Sequence, residues 1–436
     1  MNASPAFPLS EPSLQPLPSR HSCRVALLGF GTVGRAVATI LQGDSFPQLH
    51  LEFIYNRRVD RKRVPWVPRD VRWTDDIEEV LASDADVVLE LAGGIEPAYS
   101  WVKRALALGK SVVTANKKLI AAHGPELLEL ARGQGCRLEF GAAVAGGVPV
   151  LCGVSPGLSG DRLLKLCGIL NGTCNFILHA MDTRSVSLAA ALREAQQRGY
   201  AEAEPSDDVD GLDARAKLAI LIRAGFHLQA DPQQIATQSI WRVQPADFRY
   251  AHELGCTIRQ VARAEIQTGT LLADVGPALV NASSPLGCAR DNQNVLVTTG
   301  KYGGETVFAG AGAGGAPTAV AVVSDLLAIA QSQAAAVAGP TLTAVPVSYA
   351  FRCRHYVRVT PSHKLDAVNS LRGALTGKGI KLRRLLHHAN PDDPQRSLAL
   401  VTEECSTQAV DEALRQAREA GWLAEAPLRM PALMSS

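Results

Sequence analysis

The stretch that most constrains this chain is Arg24-Val25-Ala26-Leu27-Leu28 running directly into Gly29-Phe30-Gly31-Thr32-Val33-Gly34. The first segment is a short apolar strand, and Arg35 to Leu41 has helical periodicity. Strand, glycines and helix in that order suit one use. Gly29 permits a tight turn, Gly31 lets the backbone approach a pyrophosphate, and Gly34 lets the helix lie close against the strand. The helix amino end, with its unpaired N–H groups, then faces the phosphates. A glycine turn without a ligand is the plainer alternative, and the flanking strand and helix argue against it.

The alternation continues. Leu51 to Tyr55 reads as a second strand and ends at Asn56-Arg57-Arg58, with no acid at the position where NAD-specific folds carry one. A carboxylate there would bind the ribose 2′-hydroxyl, whereas arginine accommodates a 2′-phosphate, so Arg57 favours NADP, with NAD use left open. A solvated basic loop is the alternative. Val87 to Leu91, Gly93-Gly94, a helix from Tyr99 to Leu108, Ser111 to Val113 and the loop Thr114-Ala115-Asn116-Lys117 follow. Strands alternating with helices imply a Rossmann-type parallel sheet whose ligands sit at the carboxyl ends of the strands. Lys117 follows such an end and is expected on the nicotinamide side, the alternative being an ordinary surface lysine.

Length and charge set the frame for the rest. At 436 residues the chain exceeds the roughly 250–300 residues a single core supports, so two or three domains are expected. A net charge of +2 gives no reason to invoke nucleic acid or an anionic membrane, and no apolar run reaches the roughly 18–20 residues of a span. Nine cysteines without a Cys-x-x-Cys pair or Cys/His metal spacing read as reduced thiols in a cytoplasmic protein. Residues 1–22, rich in Pro and Ser, read as a disordered tail.

From Glu139 to Val150 a strand leads into small residues whose exposed carbonyls suit a hard monovalent cation; close packing explains them equally well. From 163 to 297 strands such as Leu166–Leu170 mix with helices at Ser187–Arg198 and Leu212–Ala224, an α+β pattern. Asn171-Gly172-Thr173-Cys174-Asn175 forms a polar loop that could contact substrate, and Cys174 reads as structural because no activating base accompanies it. Gly199 to Lys217 packs Glu202, Glu204, Asp207, Asp208, Asp210 and Asp213 ahead of Lys217, with Asp213 and Lys217 on one helical face. Such a run binds an amino group and moves a proton, or is simply a solvated acidic loop. A glycine-rich stretch at 308–318 then enters a helix from Ala319 to Ala335.

Taken together, GFGTVG at 29–34, ELAGG at 90–94, TANKKLIA at 114–121, AVAGGVPV at 143–150, GILNGTCNFIL at 168–178, the run 199–221 and GAGAGGAPTA at 310–319 resemble homoserine dehydrogenase. The resemblance runs in order over 24–436. It implies a dinucleotide-binding domain at 23–150 completed by a helix at 317–335. It also implies an α+β substrate and dimerisation domain at 151–316 and a βαββαβ ACT-like regulatory module at 350–436. Gly29, Phe30, Gly31, Thr32, Val33, Gly34, Arg57, Lys117, Gly199 and Gly314 are implied cofactor contacts. Glu202, Asp208 and Asp213 are implied substrate ligands, Lys217 the general acid/base, and Lys117 part of the same proton-transfer site. Backbone carbonyls of Gly141, Val144, Gly146 and Val148 are implied to hold a sodium ion, although the family's usual glutamate at 141 is glycine here. The implied effector loop reads Pro361-Ser362-His363-Lys364 and lacks the family's glycine, which counts against threonine feedback.

The expected activity is NADP-dependent interconversion of L-homoserine and L-aspartate 4-semialdehyde, serving threonine and methionine biosynthesis, in a homodimer or higher homo-oligomer. Two other readings compete. One is a semialdehyde dehydrogenase that forms a thioester on Cys174; the other is a nucleotide-sensing regulator with a dead pocket.

Overall fold

The computed structural model describes residues 22–331, 342–362, 366–386 and 397–434. Residues 1–21 of the tail expected at 1–22, residues 332–335 of the expected helix, and His363 and Lys364 lie outside them. The amino-terminal half alternates β1 (Cys23–Leu28), α1 (Thr32–Leu41), β2 (Leu49–Tyr55), α2 (Val59–Lys62), β3 (Arg72–Thr74) and α3 (Ile77–Leu81). β4 (Val87–Glu90), α4 (Ala98–Ala107), β5 (Ser111–Thr114), α5 (Lys117–Gly133) and β6 (Leu138–Glu139) follow. The six strands form one parallel sheet in the order β3-β2-β1-β4-β5-β6, the doubly wound arrangement. Because helices cover both faces, β1 is apolar on both. Val25 and Leu27 pack with Val37 and Ala38 of α1, while Ala26 and Leu28 pack with Val102 and Leu106 of α4.

After the short α6 (Val150–Cys152) the chain switches to mixed structure. β7 (Leu163–Ile169) leads into α7 (Gly172–Arg184), α8 (Leu188–Gln197), α9 (Ser206–Val209) and α10 (Leu212–Phe226). Short strands β8 (Leu228–Gln229) and β9 (Ala236–Thr237), then α11 (Pro245–Glu253), precede β10 (Cys256–Gln267), β11 (Thr270–Asn281), β12 (Gln293–Gly300) and β13 (Gly304–Ala311). The β10–β11 hairpin keeps register from Cys256↔Asn281 to Gln267↔Thr270. Its two-residue turn, Thr268-Gly269, has positive φ at both positions, as a twist-matched hairpin requires. The glycine-rich stretch at 308–318 is partly β13, and the following helix, α12 (Gly315–Gln331), begins earlier than expected. Ala319, Val322, Val323 and Leu326 of α12 return to the α1 side of the parallel sheet.

β14 (Thr343–Ala344) and β15 (Val347–Ser348) lead into β16 (Arg352–Val359), α13 (Ala367–Gly377), β17 (Leu382–Leu386), β18 (Leu398–Thr402), β19 (Cys405–Ser406), α14 (Thr407–Glu419) and β20 (Leu428–Leu433). The four longer strands pair in the order β20-β16-β18-β17. They do not stand apart from the rest. β20 pairs in parallel with β11 at Leu279↔Ala432, so the carboxyl-terminal strands extend the sheet that begins at β13. Tyr356, Val401 and Met430 face Phe176, Leu178 and Phe248, while Val357 and Leu400 face Leu375 of α13 and Leu414 of α14.

Candidate active site

The end of β7 and the starts of α5, α9 and α10 bring together residues as far apart in sequence as Lys117 and Lys217. Lys117 opens α5, directly after Asn116, whose Oδ1 accepts the Leu119 N–H at 3.2 Å. Asp213 sits in the first turn of α10 and Lys217 one turn on. Asp213 is 4 % exposed, and both its oxygens are engaged: Lys117 Nζ pairs with Oδ1, and Lys217 Nζ lies 2.8 Å from Oδ2. Lys217 Nζ also donates to the Leu170 carbonyl at 2.7 Å. Asn171 Nδ2 donates to Asp208 Oδ1 at 2.7 Å and to Asp213 Oδ2 at 2.9 Å.

Electrostatics follow from that geometry. Burial alone would raise the Asp213 carboxyl, but Lys217 and Lys117 hold it well below the usual carboxylate range. Burial works to lower the Lys117 ammonium, and the charge and hydrogen bond of Asp213, helped by Asp208 and Asp207, raise it overall. The Asp208 carboxyl is raised, chiefly by burial and against the Asn171 hydrogen bond, with the Asp213 charge adding. The result is a carboxylate committed to its charge, flanked by two lysines, with a second, more easily protonated carboxyl beside it.

Other expected residues fall differently. Glu202 is exposed and pairs with neither lysine; its carbonyl accepts Gln196 Nε2 at 3.1 Å. Asp207 is exposed and pairs with Lys118 at 2.6 Å. The polar loop expected at 171–175 is the start of α7, capped by Asn171 through Cys174 N–H at 2.8 Å. Cys174 is fully buried, and burial together with Asp208 and Asp213 pushes its thiol well above the ordinary value, the reverse of what a nucleophile needs.

The turn between β1 and α1, expected to hold a dinucleotide, has the shape for one. Gly29 has φ 102°, and a Cβ there would sit 2.8 Å from the Leu91 carbonyl oxygen; on Gly34 it would run into the Gly29 carbonyl. No side chain caps α1, so its first N–H groups stay open, and nothing lies within 4 Å of a Cβ built on Gly31. Thr32 is exposed at that helix end and Val33 half-buried, and Gly315 packs against Thr32, bringing Gly314 to the same place. Arg57 is exposed just beyond the end of β2, and Gly199 lies exposed in the turn after α8. Phe30 departs from expectation: its ring is fully buried, edge-on to Trp73 at 4.8 Å, which leaves only its backbone for a cofactor.

The small residues around 144–148 have a packing reason. A Cβ on Gly146 would lie 2.5 Å from the Gly312 carbonyl oxygen and one on Gly147 2.6 Å from Pro317. Gly141 donates its N–H to Asp325 Oδ2 of α12 at 2.7 Å. The described residues contain no cluster of three or more His, Cys, Asp or Glu that could hold a metal ion.

Some site residues went unread in the sequence. Glu90, fully buried at the end of β4, accepts Ala92 N–H at 2.9 Å, Gly93 N–H at 3.0 Å and Thr114 Oγ1–H at 2.6 Å, and so shapes the loop that follows β4. A lone carboxylate inside Val87-Val88-Leu89-Glu90-Leu91 was the available signal.

Open helix N–H groups for phosphate, together with half-buried lysines that can carry a proton, are what hydride exchange with a dinucleotide demands. The class so defined is the nicotinamide-dependent oxidoreductases. The family model "Homoserine dehydrogenase, NAD binding domain" matches residues 29–141, and "Homoserine dehydrogenase" matches 149–327. The homoserine dehydrogenase of Mycobacterium tuberculosis is 36% identical over 415 residues, covering 91% of this chain and 93% of that one. A solved homoserine dehydrogenase from Thiobacillus denitrificans superposes with TM-score 0.86 at 30% identity, over 95% of this chain and 98% of that one. A hyperthermophilic archaeal homoserine dehydrogenase in complex with NADPH matches with TM-score 0.60 at 26% identity, over 70% of this chain and 97% of that one. The chain belongs to the homoserine dehydrogenase family and is an NAD(P)-dependent oxidoreductase.

Proposed function

We propose that this enzyme interconverts L-homoserine and L-aspartate 4-semialdehyde with NADP, using Lys217 as general acid and base. The observation that carries the reading is the buried Asp213 carboxylate with a lysine on each oxygen. Bound nicotinamide would supply or accept the hydride at the substrate C4. In reduction the alkoxide formed at the substrate oxygen takes a proton from the Lys217 ammonium; in oxidation the neutral Lys217 amine removes the hydroxyl proton. Asp213 and the Leu170 carbonyl aim the Lys217 nitrogen, and Lys117 adds positive charge where the alkoxide develops. Asp208 and the exposed Glu202 are the anions proposed for the substrate ammonium.

Preference for NADP rests on Arg57 and the missing acid after β2, in keeping with the NADPH named for the archaeal relative. The proposal extends to a sodium ion on the carbonyls of Gly141, Val144, Gly146 and Val148. Val148 O already accepts the Val150 N–H at 2.7 Å, so the ion would use its second lone pair, and no step passes through it. A cytoplasmic homodimer paired through the α+β half, with a regulatory role for the carboxyl-terminal strands and helices, completes the reading.

Homoserine-dependent reduction of NADP+ and NAD+, followed by absorbance in one assay, tests activity and cofactor choice together. Lys217→Ala should cut turnover by about 10²–10⁴-fold while leaving the cofactor dissociation constant nearly unchanged. Turnover near wild type in that variant would sink the assignment.

A further inference from the structure

Asn171 is 3 % exposed, and both N–H groups and the oxygen of its side-chain amide are engaged at the cluster. Its Oδ1 is committed to the Cys174 N–H, which caps α7 and fixes which way the amide faces. Its Nδ2 must therefore point at the carboxylates, one hydrogen for Asp208 and one for Asp213. The carbonyl just before it, Leu170 O, receives Lys217 Nζ at 2.7 Å and Asn294 Nδ2 at 3.1 Å. The corner at the end of β7 thus places the lysine by its backbone and both carboxylates by its side chain.

We infer that Asn171 is a positioning residue for the reaction: its amide holds Asp208 and Asp213 side by side, leaving Asp213 to the lysines and one oxygen of Asp208 to a cationic group of the substrate. The inference rests on the reading of this cluster as the catalytic centre. Two carboxylates this close repel, and one takes up a proton unless donors intervene. Asp208 Oδ2 has no hydrogen-bond partner among the described residues. The groups facing Asp208 are Asp213 and Lys217 of α10, Lys117 of α5, Cys174 of α7 and uncharged Gln260 of β10, with Asp207 and Asp210 alongside it in sequence. Only Asn171 donates a hydrogen bond to both carboxylates among the described residues.

Asn171→Ser separates the two jobs of the side chain, since serine keeps a capping oxygen for α7 and lacks the amide donor. We expect the melting midpoint and cofactor affinity to stay close to wild type. kcat/KM for homoserine should fall about 10–100-fold, and the acid limb of its pH profile should move up by about one unit, because Asp208 loses a donor to its ionised form. Asn171→Asp adds a third carboxylate, so its loss should exceed that of Asn171→Ser at neutral pH and narrow as falling pH restores a donor proton. In the cofactor-free protein, the ¹³C carboxyl titration of Asp208, identified by its absence in Asp208→Asn, should move up in Asn171→Ser. An unmoved titration, or a loss of activity that follows thermal stability with an unshifted pH profile, overturns the inference. A wild type that fails to turn over homoserine overturns the functional reading instead, and the titration still decides the role of Asn171.

Discussion

Asp213 shows how one buried side chain can organise chemistry it does not itself perform. Its oxygens serve two lysines from different helices, so Asp213→Asn should release both. We expect kcat/KM to fall by about 10²–10³-fold. Stability should drop by roughly 2–4 kcal/mol, the lower part because Lys117 is 35% exposed and screened. The pH dependence has a definite sign. The folded Asp213 carboxyl lies below its unfolded value of about 3.9, so its contribution is present above that pH and lost as pH falls through the folded value. Lys117 is raised above its unfolded value of about 10.4, so its contribution is full below that pH and lost as pH rises through the folded value. Urea unfolding of wild type and variant should therefore differ by a constant amount between roughly pH 5 and 9 and converge in acid.

Among the elements, α12 joins the two halves by contact too close for side chains. Its Asp325 carboxylate accepts the Gly141 N–H, and a Cβ on Gly141 would lie 2.7 and 2.9 Å from the two Asp325 oxygens. Gly141→Ala should cost about 1–3 kcal/mol by overpacking. Paired with Asp325→Ala, the cost should be smaller than the sum of the two single changes by at least about 0.5 kcal/mol. Additive losses in thermal unfolding would show that Asp325 can swing aside, and that the contact does not hold α12 in place. Arg137 strengthens the same junction, donating to the Ala328 carbonyl of α12 at 2.9 Å.

At the scale of the whole molecule, the carboxyl-terminal strands share a core with the α+β half. Asp247 of α11, fully buried, accepts Tyr356 Oη–H at 2.7 Å, Arg358 Nε–H at 2.8 Å and Gln244 N–H at 2.8 Å. Arg358 also donates to the Arg242 carbonyl at 2.7 Å. Asp247→Ala strands a buried guanidinium and should cost roughly 3–5 kcal/mol. Hydrogen exchange should then quicken together in 245–253 and 352–359. Faster exchange in 352–359 alone would mark the carboxyl-terminal strands as a separable unit.

Much of this protein is legible locally. Val25 to Gly34 determines a strand, a glycine turn and a helix because steric limits on φ and apolar spacing act within a few residues, and Asp213 with Lys217 is placed on one face by helical periodicity alone. Tertiary structure decided the rest. It chose Asp208 and Asp213 over their acidic neighbours, because burial and the Asn171 amide depend on β7, some forty residues upstream. It sent the Phe30 ring into the core, left Glu202 in solvent, and ran the carboxyl-terminal strands into the sheet of β11. Charge and periodicity belong to a segment, whereas desolvation and ion pairing belong to whatever the fold packs against it.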